Sequence, residues 1–475
     1  MSIRFEQLQF SYFKDGHDVI PGLTAEFHAS NITVLTGVSG CGKSTLLYLA
    51  AGAYPHNAGI LRSGKVTVDG IAPAELLPPE RCRLAGMMFQ NPELQFCMDT
   101  VKNELVFCLE NIRTTPSEME PRLNAALQFC GIAHLKNRTL LSLSGGERQK
   151  VMLACLVALQ PKWLLLDEPF ANIDDRSASE IAEKLGQLHQ EKGVGILAVD
   201  HRLDNWVNVA STVRIMEKGR LLPETLSPKN LDFHHLEERG IIVPGGSYGV
   251  HRCSGIAQNK VLELRGLTLR HGTTQILRGI TASFYRGRAY AIVGQSGCGK
   301  SSLFGALLGM YRYGGQALLD GKDLKKLRRK ELGHIGFVTQ NPQDQFVGGT
   351  VLEEILSSLH GKAGAAETAE KILKSIHLWR YRELSPYLLS QGQQRKLGVA
   401  TLMAYDCRVL ICDEPTYAQD RNSTLAIMDT LCRQVKDHHA ALIFSTHDRQ
   451  LALDFADEIW ELEGGRLHAV TQSGL

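Results

Sequence analysis

Short apolar runs alternate along the chain with longer segments in which apolar residues recur at helical spacing. Several runs are continuously apolar, which is typical of strands buried on both faces of a parallel sheet. They lie at Ile32–Leu35, Leu164–Leu166, Gly195–Val199, Ala289–Val293, Val409–Cys412 and Ala441–Ser445. The pattern predicts an α/β fold whose functional site lies at the carboxyl ends of the strands.

The order of motifs in the first half is repeated in the second. The spacing from a Leu-Ser motif to a later histidine is identical in both halves, and the extra residues of the first half lie upstream. The matching segments include Pro21–Phe27 and Arg278–Phe284, Leu143–Glu147 and Leu389–Gln393, and His201 and His447. This repeat predicts two duplicated domains, residues 1–225 and 259–475, joined by a near-neutral linker at 226–258 that contains several glycines.

A glycine-rich loop of the form G-x-x-x-x-G-K-[ST] follows an apolar run in each half. Glycines allow backbone N–H groups to turn around phosphate oxygens, and the following helix adds its positive end. One such loop alone can be an ordinary turn, but two in the same context predict two nucleotide triphosphate sites. The candidate ligands are Gly37, Ser39, Gly40, Cys41, Gly42, Lys43, Ser44 and Thr45, and Gly294, Ser296, Gly297, Cys298, Gly299, Lys300, Ser301 and Ser302.

Carboxylates, histidines and glutamines follow other apolar runs in both halves. Asp167 and Asp413, with Gln90 and Gln340 and the hydroxyls of Ser44 and Ser301, are candidate Mg²⁺ ligands. The next acids in the chain can orient and deprotonate a water molecule, and the histidines can contact a γ-phosphate. An Asp-Glu-Pro triplet alone is more often a strand exit, and a lone histidine is more often structural. The candidate catalytic residues are Glu168, His201, Glu414 and His447.

Composition excludes several other classes of protein. The chain is 44% hydrophobic and 21% charged with a net charge of +2, so no strong field favours nucleic acid or anionic lipid. No apolar run approaches the ~20 residues of a membrane span, and the start lacks a signal peptide. The 11 cysteines show no metal-ligand spacing and are expected to be reduced. We therefore expect a cytosolic protein whose membrane contact comes through partners.

These motifs together resemble those of the ATP-binding-cassette (ABC) ATPases over nearly the whole chain outside the linker. The family signature is matched at Ser144, Gly145 and Gly146 and at Ser390 and Gly392, and its later aspartate at Asp174 and Asp420. The resemblance implies two cassettes, each with a mainly parallel sheet, an antiparallel β subdomain and a helical subdomain. It also implies ATP and Mg²⁺ as ligands and head-to-tail packing, so that one chain forms a pseudo-dimer. Lys43 would then share one ATP with Ser390, and Lys300 the other with Ser144.

Two positions depart from the family pattern. The aromatic residue that stacks on adenine is matched by Tyr12, whereas the second half has His271 as a stand-in. Gln391 replaces the first glycine of the second signature and adds a side chain beside the ATP at Lys43. Both halves keep every predicted catalytic group, so we expect both sites to hydrolyse ATP, although at rates that need not be equal.

The segment after each glutamine, Q-N-P-x-x-Q-F followed by T-V-x-x-E, is similar to the ATPases of energy-coupling factor (ECF) transporters. These importers take up vitamins or transition-metal ions with a transmembrane coupling subunit and a separate substrate-binding membrane protein. The resemblance implies partner grooves near residues 90–107 and 340–356, at the cytoplasmic face of the membrane. Candidate groove acids, each alternatively a solvated surface charge, are Glu93, Glu104, Asp344, Glu353 and Glu354, with Phe96 and Phe346 as apolar walls.

Three other interpretations remain open at this point. A soluble tandem cassette protein acting on ribosomes would carry a long basic helical linker, and the linker here is near-neutral. The fused ATPase of a sugar importer often has one degenerate half, whereas both halves here are complete. A DNA-repair ATPase needs a long heptad insert between loop and signature, which the sequence lacks.

Overall fold

A computed structural model describes residues 1–90, 95–170, 173–249, 253, 259–295, 297–327, 334–359, 362–405, 407–417 and 419–470. The chain divides into two compact units, Met1–Pro244 and Gly245–Leu475. Each unit contains a six-stranded mixed sheet, a separate antiparallel sheet and a group of helices. The predicted α/β fold is confirmed in both units.

The first unit contains nine strands and seven α-helices among its described residues. The strands are β1 (Ser2–Ser11), β2 (Ile20–His28), β3 (Ile32–Thr36), β4 (Ile60–Val68), β5 (Ala85–Met88), β6 (Trp163–Asp167), β7 (Gly195–Val199), β8 (Thr212–Glu217) and β9 (Arg220–Leu226). The helices are α1 (Lys43–Ala50), α2 (Pro78–Leu84), α3 (Val101–Asn111), α4 (Pro116–Phe129), α5 (Gly145–Leu159), α6 (Asp175–Lys192) and α7 (Phe233–Glu238).

The strand that leads into the phosphate loop lies inside the large sheet of the first unit. The strand order is β5-β6-β7-β3-β8-β9, and every pair is parallel except β8 with β9. Strands β3, β6 and β7 are buried along their whole length, as their continuous apolar sequences predict. Parallel pairing brings the residues that follow β3, β6 and β7 to one edge of the sheet. The antiparallel sheet has the order β2-β1-β4.

The second unit repeats this architecture. Its strands are β10 (Lys260–His271), β11 (Thr274–Tyr285), β12 (Ala289–Val293), β13 (Gly314–Leu319), β14 (Lys322–Asp323), β15 (Ile335–Val338), β16 (Val409–Cys412), β17 (Ala441–Ser445), β18 (Glu458–Glu463) and β19 (Arg466–Val470). Its helices are α8 (Lys300–Leu307), α9 (Val351–Ser358), α10 (Ala365–Ser375), α11 (Gln391–Leu402), α12 (Arg421–His438) and α13 (Arg449–Phe455). The large sheet has the order β15-β16-β17-β12-β18-β19, and the antiparallel sheet the order β11-β10-β13-β14.

The segment predicted to be a linker is largely part of the first unit. Residues 226–244 include helix α7, and Leu236, Ile241 and Val243 are buried in the same hydrophobic core as the large sheet. The glycines and balanced charges of this segment indicated a connector, but its apolar positions determine where it packs. The boundary between the units lies at Pro244–Gly245.

The cysteines differ from expectation at one pair. Cys253 and Cys432 form a disulfide with their Cα atoms 4.9 Å apart, which fits the ordinary spacing of bridged cysteines. The bridge joins the start of the second unit to helix α12. Among the described residues, no helix is long and apolar enough to cross a membrane.

The burial of helix α7 can be tested by mutation. Leu236→Ala removes a fully buried side chain, so it should lower the free energy of unfolding of the first unit by about 3 kcal/mol. Phe233→Ala on the same helix is the control, because Phe233 is 40% exposed and should cost under about 1 kcal/mol. Denaturant unfolding measures both. Equal, small effects would mean that the segment is a solvated connector.

Candidate functional site

Both phosphate loops have a backbone that only glycine adopts easily. Gly42 and Gly299 have φ of +103° and +110° and directly precede helices α1 and α8. A Cβ atom on Gly37 would lie 2.2 Å from the Met216 carbonyl oxygen, and Gly294 is confined in the same way. Each loop therefore directs backbone N–H groups and a helix N-terminus to one place, which suits the phosphates of a nucleotide.

The lysine of each loop is buried and held by loop carbonyls. Lys43 Nζ donates to the Gly37 carbonyl at 2.7 Å, and Lys300 Nζ donates to the Gly294 carbonyl at 2.6 Å. The ammonium group is thus positioned inside the loop, where phosphate oxygens would also lie. The predicted ligand Ser296 is outside the described residues.

An aromatic cluster lies beside each phosphate loop. Tyr12 is 38% exposed, its ring contacts Tyr54 edge to face, and its hydroxyl lies 2.9 Å from Thr45 Oγ1. In the second unit the His271 ring contacts Tyr311 edge to face with ring centroids 4.8 Å apart. The two predicted adenine platforms therefore have equivalent aromatic neighbours. Stacking of adenine on His271 remains a prediction.

The first acid of each pair lies beside the helix that begins at the phosphate loop. Ser44 Oγ donates to Asp167 Oδ1 at 2.9 Å, and Ser301 makes the corresponding bond to Asp413. A hydroxyl and a carboxylate oxygen at this distance suit the oxygen ligands that Mg²⁺ prefers. The residues fit a magnesium ion, which would neutralise charge on the β- and γ-phosphates when bound.

The second acid of each pair has a strained backbone. Glu168 and Glu414 have φ of +49° and +48°, a region that residues other than glycine rarely adopt. The N–H of Glu168 donates to the Val199 carbonyl at 2.8 Å, and the N–H of Glu414 donates to Ser445 Oγ at 2.9 Å. These bonds to the neighbouring strand hold the strained turn. Such strain is concentrated at functional sites.

A histidine from the neighbouring strand contacts the second acid in both units. His201 Nδ1 lies 3.3 Å from Glu168 Oε1, and Gln90 Nε2 donates to Glu168 Oε2 at 2.6 Å. His447 Nδ1 lies 3.0 Å from Glu414 Oε2. The structure therefore brings the predicted glutamate and histidine together in each half, and the predicted glutamine as well in the first.

Burial and charge pairing determine the protonation of these groups. Burial raises the pKa of Asp167 to about 7, and the adjacent Glu168 contributes to the rise. Burial also opposes the ionisation of Glu168, but His201, Lys43 and Gln90 together outweigh it and hold the pKa of Glu168 below its usual value. Burial lowers the pKa of His201, whereas the neighbouring carboxylates, Glu168 first, raise it. The result is a pKa of His201 above its usual value. The pair thus favours an ionised glutamate, the form that a general base needs.

The surroundings of the two histidines differ, which the motifs did not predict. In the first unit Asp200 is buried beside His201, and its Oδ2 accepts from Trp206 Nε1 at 2.9 Å. In the second unit the residue equivalent to Asp200 is Thr446, and its Oγ1 accepts from the Asp448 N–H at 3.0 Å. Asp200 and Thr446 directly precede the histidines in the sequence, but their hydrogen-bond partners depend on the folded structure.

Each signature serine caps a helix, as predicted. Ser144 is the N-cap of α5 and forms reciprocal bonds with Glu147. Ser390 is the N-cap of α11 and forms the same arrangement with Gln393, while Gln391 is exposed at the first position of the helix. The N-terminus of a helix can bind an anion, so both signature helices suit a phosphate group.

The second signature glycine packs closely against the segment that follows each second acid. A Cβ atom on Gly146 would lie 3.0 Å from Ser177 Oγ on α6, and one on Gly392 would lie 2.9 Å from Gln419 Oε1, just before α12. Asp174 caps helix α6 by accepting from the Ser177 N–H at 3.0 Å, and Asp420 caps α12 in the same way. The two predicted aspartates therefore hold these helix starts in place.

A buried residue of each signature helix bonds to the backbone at the Asp-Glu-Pro motif, and sequence reasoning missed it. Arg395 donates to the carbonyls of Glu414 at 2.8 Å and Gln340 at 2.7 Å. Its counterpart Gln149 donates to the Pro169 carbonyl at 2.6 Å. The sequence signal that could have identified these residues is a long polar side chain at the same position of the signature helix in both halves.

Comparison with known proteins assigns the family. The family model described as ABC transporter matches residues 20–171 and 277–417, together more than half of the chain. The chain belongs to the ABC transporter family. Its ABC relatives include "Putative HMP/thiamine import ATP-binding protein YkoD" of Bacillus subtilis (strain 168), which is 34% identical over 96% of this chain and 88% of that protein. A "Putative ABC transporter ATP-binding protein" of Methanosarcina acetivorans is 27% identical over 98% of this chain and 85% of that protein.

Solved structures share the tandem ABC fold at low identity. The structure titled "RNase-L Inhibitor" has a TM-score of 0.66 and 18% identity over 99% of this chain and 91% of that chain. The structure titled "Model of ribosome-bound archaeal Pelota and ABCE1" has a TM-score of 0.69 and 18% identity over 98% of this chain. At this identity the likeness concerns the fold alone. Together with the family match, it makes the protein an ABC ATPase with two cassettes.

Both cassettes should contribute to ATP hydrolysis, and single substitutions test this. Glu168→Gln and Glu414→Gln each remove a candidate base, so each should slow its own site by about 10²-fold. The steady-state ATPase rate of the chain should then fall measurably in each variant, by the share of the total rate that the substituted site supplies. Glu183→Gln, an exposed change on α6, is the control. A wild-type rate in either variant would mean that its site does not hydrolyse ATP.

Proposed function

We propose that this protein is the ATP-hydrolysing subunit of an ECF-type importer for vitamins or transition-metal ions. It would act at the cytoplasmic face of the membrane with a transmembrane coupling subunit and a substrate-binding membrane protein. The full-length similarity to a relative named for HMP/thiamine import supports an import role. The Q-N-P-x-x-Q-F segment in both halves supports the ECF type.

We propose further that each ATP lies between the phosphate loop of one cassette and the signature of the other. Lys43 would act with Ser390, and Lys300 with Ser144. Within each site the ionised glutamate would take the proton of the attacking water, and the histidine beside it would contact the γ-phosphate. The glutamate–histidine contacts in both cassettes support this division of roles.

An apolar groove in the first cassette supports the proposal that a membrane protein binds there. It has a volume of about 270 Å³ and lies between the end of α1, strand β5 and the helices α3 and α5. Its walls are mainly apolar and include Ala53, Met87, Cys108, Met152 and Leu156. A groove of this kind between helices suits the insertion of a short helix from another protein.

The groove is linked directly to the catalytic centre. Gln95 lies in its lining and accepts from the Phe89 N–H at 2.8 Å while donating to the Met87 carbonyl at 3.1 Å. Phe89 precedes Gln90, which donates to Glu168. A partner that shifts this wall would therefore move the glutamine that contacts the base. In the second cassette Gln345 accepts from the Thr339 N–H at 3.2 Å.

Two of the predicted groove acids are buried, although Glu104 also lies in the lining of the groove. Glu104 and Glu354 are each 2% exposed. Glu104 accepts from the N–H groups of Cys97 and Met98, and Glu354 accepts from the corresponding loop in the second cassette. Their carboxylates hold the loop instead, because a buried charge needs several donors. Phe346 is likewise part of the core rather than an exposed wall.

The remaining described acids lie on the surface of the second cassette. Asp344 and Glu353 are exposed, and the apolar side chains of Val347 and Tyr387 are exposed nearby in the same helical subdomain. Glu93 lies outside the described residues. A mixed acidic and apolar surface suits a basic amphipathic segment of a partner.

The proposal predicts that Asp344→Lys/Glu353→Lys releases the membrane partner. Reversed charge on this surface should lower the amount of membrane protein that co-purifies with the tagged chain in mild detergent by about tenfold. Basal ATPase activity should be nearly unchanged, and the unfolding midpoint should fall only slightly, because Glu353→Lys also removes the bond from the Thr350 N–H at the start of α9. Glu367→Lys, an exposed charge reversal on α10, is the matched control. Full retention of the membrane protein in the double variant would contradict this docking surface.

A further inference from the structure

Residues 242–248 cross the boundary between the two units, and we call them the connector. The connector contacts the loop of the first proposed catalytic histidine, His201. The N–H of Ile242 donates to the carbonyl of His201 at 3.0 Å, and the N–H of Leu203 donates to the carbonyl of Ile242 at 3.0 Å. Ile242 is buried, so these bonds are protected from water. The two bonds therefore hold the backbone at His201, which contacts Glu168, and at Leu203, two residues later.

Residues 243–247 lead from there to a second contact, made by Tyr248. Tyr248 is 4% exposed, its N–H donates to Asp454 Oδ2 at 2.6 Å, and the guanidinium of Arg421 lies 5.3 Å from its ring centroid. Its hydroxyl donates to Asp448 Oδ2 at 3.0 Å. Tyr248 is therefore fixed at its backbone, its ring and its hydroxyl within the second cassette.

Asp448 directly follows the second catalytic histidine. Its N–H donates to Thr446 Oγ1 at 3.0 Å, and its Oδ1 accepts from the Leu451 N–H at 3.0 Å as the N-cap of α13. Asp448 is buried, and a buried carboxylate needs hydrogen-bond donors to stay in place. The Tyr248 hydroxyl is one of these donors, and it acts on the residue adjacent to His447.

We propose that Tyr248 is a positioning residue for the second catalytic site, holding His447 against Glu414 through Asp448. The His447 side chain is 30% exposed against 8% for His201, so its position depends more on how its backbone is held. The first cassette has Arg202 where the second has Asp448, and there the backbone bonds of Ile242 hold the loop instead. The same connector thus supports both histidine loops, the first through backbone hydrogen bonds of Ile242 and the second through the side chain of Tyr248.

Tyr248→Phe tests this role, because it removes only the hydroxyl and keeps the ring beside Phe455. We expect the rate of ATP hydrolysis at the second site to fall about three- to tenfold, read in the His201→Ala background where that site supplies the remaining turnover, with KM for ATP and the unfolding midpoint nearly unchanged. In the otherwise wild-type chain the total kcat should fall by a smaller factor, because the first site is unaffected. Tyr405→Phe, at a 43% exposed tyrosine, is the control. The assay uses the purified full chain without membranes, so its outcome is independent of the proposed import role.

A double-substitution series separates positioning from general packing. If Tyr248 acts through His447, Tyr248→Phe should slow His201→Ala further but should leave His447→Ala unaffected. An unchanged kcat for Tyr248→Phe in the His201→Ala background would overturn the proposal. So would an equal loss in both histidine backgrounds, or a loss that appears in KM and the unfolding midpoint instead of kcat.

Discussion

The contact between a buried glutamate and a histidine from the neighbouring strand is the interaction on which each candidate catalytic centre depends. Parallel pairing of β6 with β7, and of β16 with β17, brings the two residues to the same edge of the sheet. A left-handed turn at Glu168 and Glu414 then places the carboxylate beside the imidazole. Burial alone would favour a neutral acid, and the histidine together with the loop lysine reverses that preference. Each cassette therefore holds an ionised glutamate, the form that our proposed general base requires.

The two cassettes repeat this centre but support it differently. Asp200 and Trp206 lie behind the first histidine, whereas Asp448 and Tyr248 lie behind the second. The signature helix carries Gln149 in one cassette and Arg395 in the other. The residues that we propose contact the nucleotide are therefore similar in the two cassettes, whereas the buried residues packed behind them differ. Unequal rates at the two sites would follow from these supports without the loss of any catalytic group.

Much of the fold and of the centre could be predicted because the signals are local. A continuous apolar run followed by Gly-x-x-x-x-Gly-Lys or by Asp-Glu identifies a buried strand and what lies at its end. The roles of Glu104 and Glu354 could not be predicted, because an acid on a helix looks the same whether it faces solvent or loop N–H groups. The bond from Tyr248 to Asp448 joins residues far apart in the sequence and leaves no local pattern. The linker was misjudged for a related reason, since Leu236 and Val243 reveal their burial only in the tertiary structure.

Two phosphate loops in one chain should hold two nucleotides at once. The stoichiometry of binding of a non-hydrolysable ATP analogue with Mg²⁺ to the purified chain, measured by equilibrium dialysis at saturation, tests this. We expect about two analogue molecules bound per chain, one for each phosphate loop with its lysine. A saturating value of one would mean that one of the two loops does not hold a nucleotide.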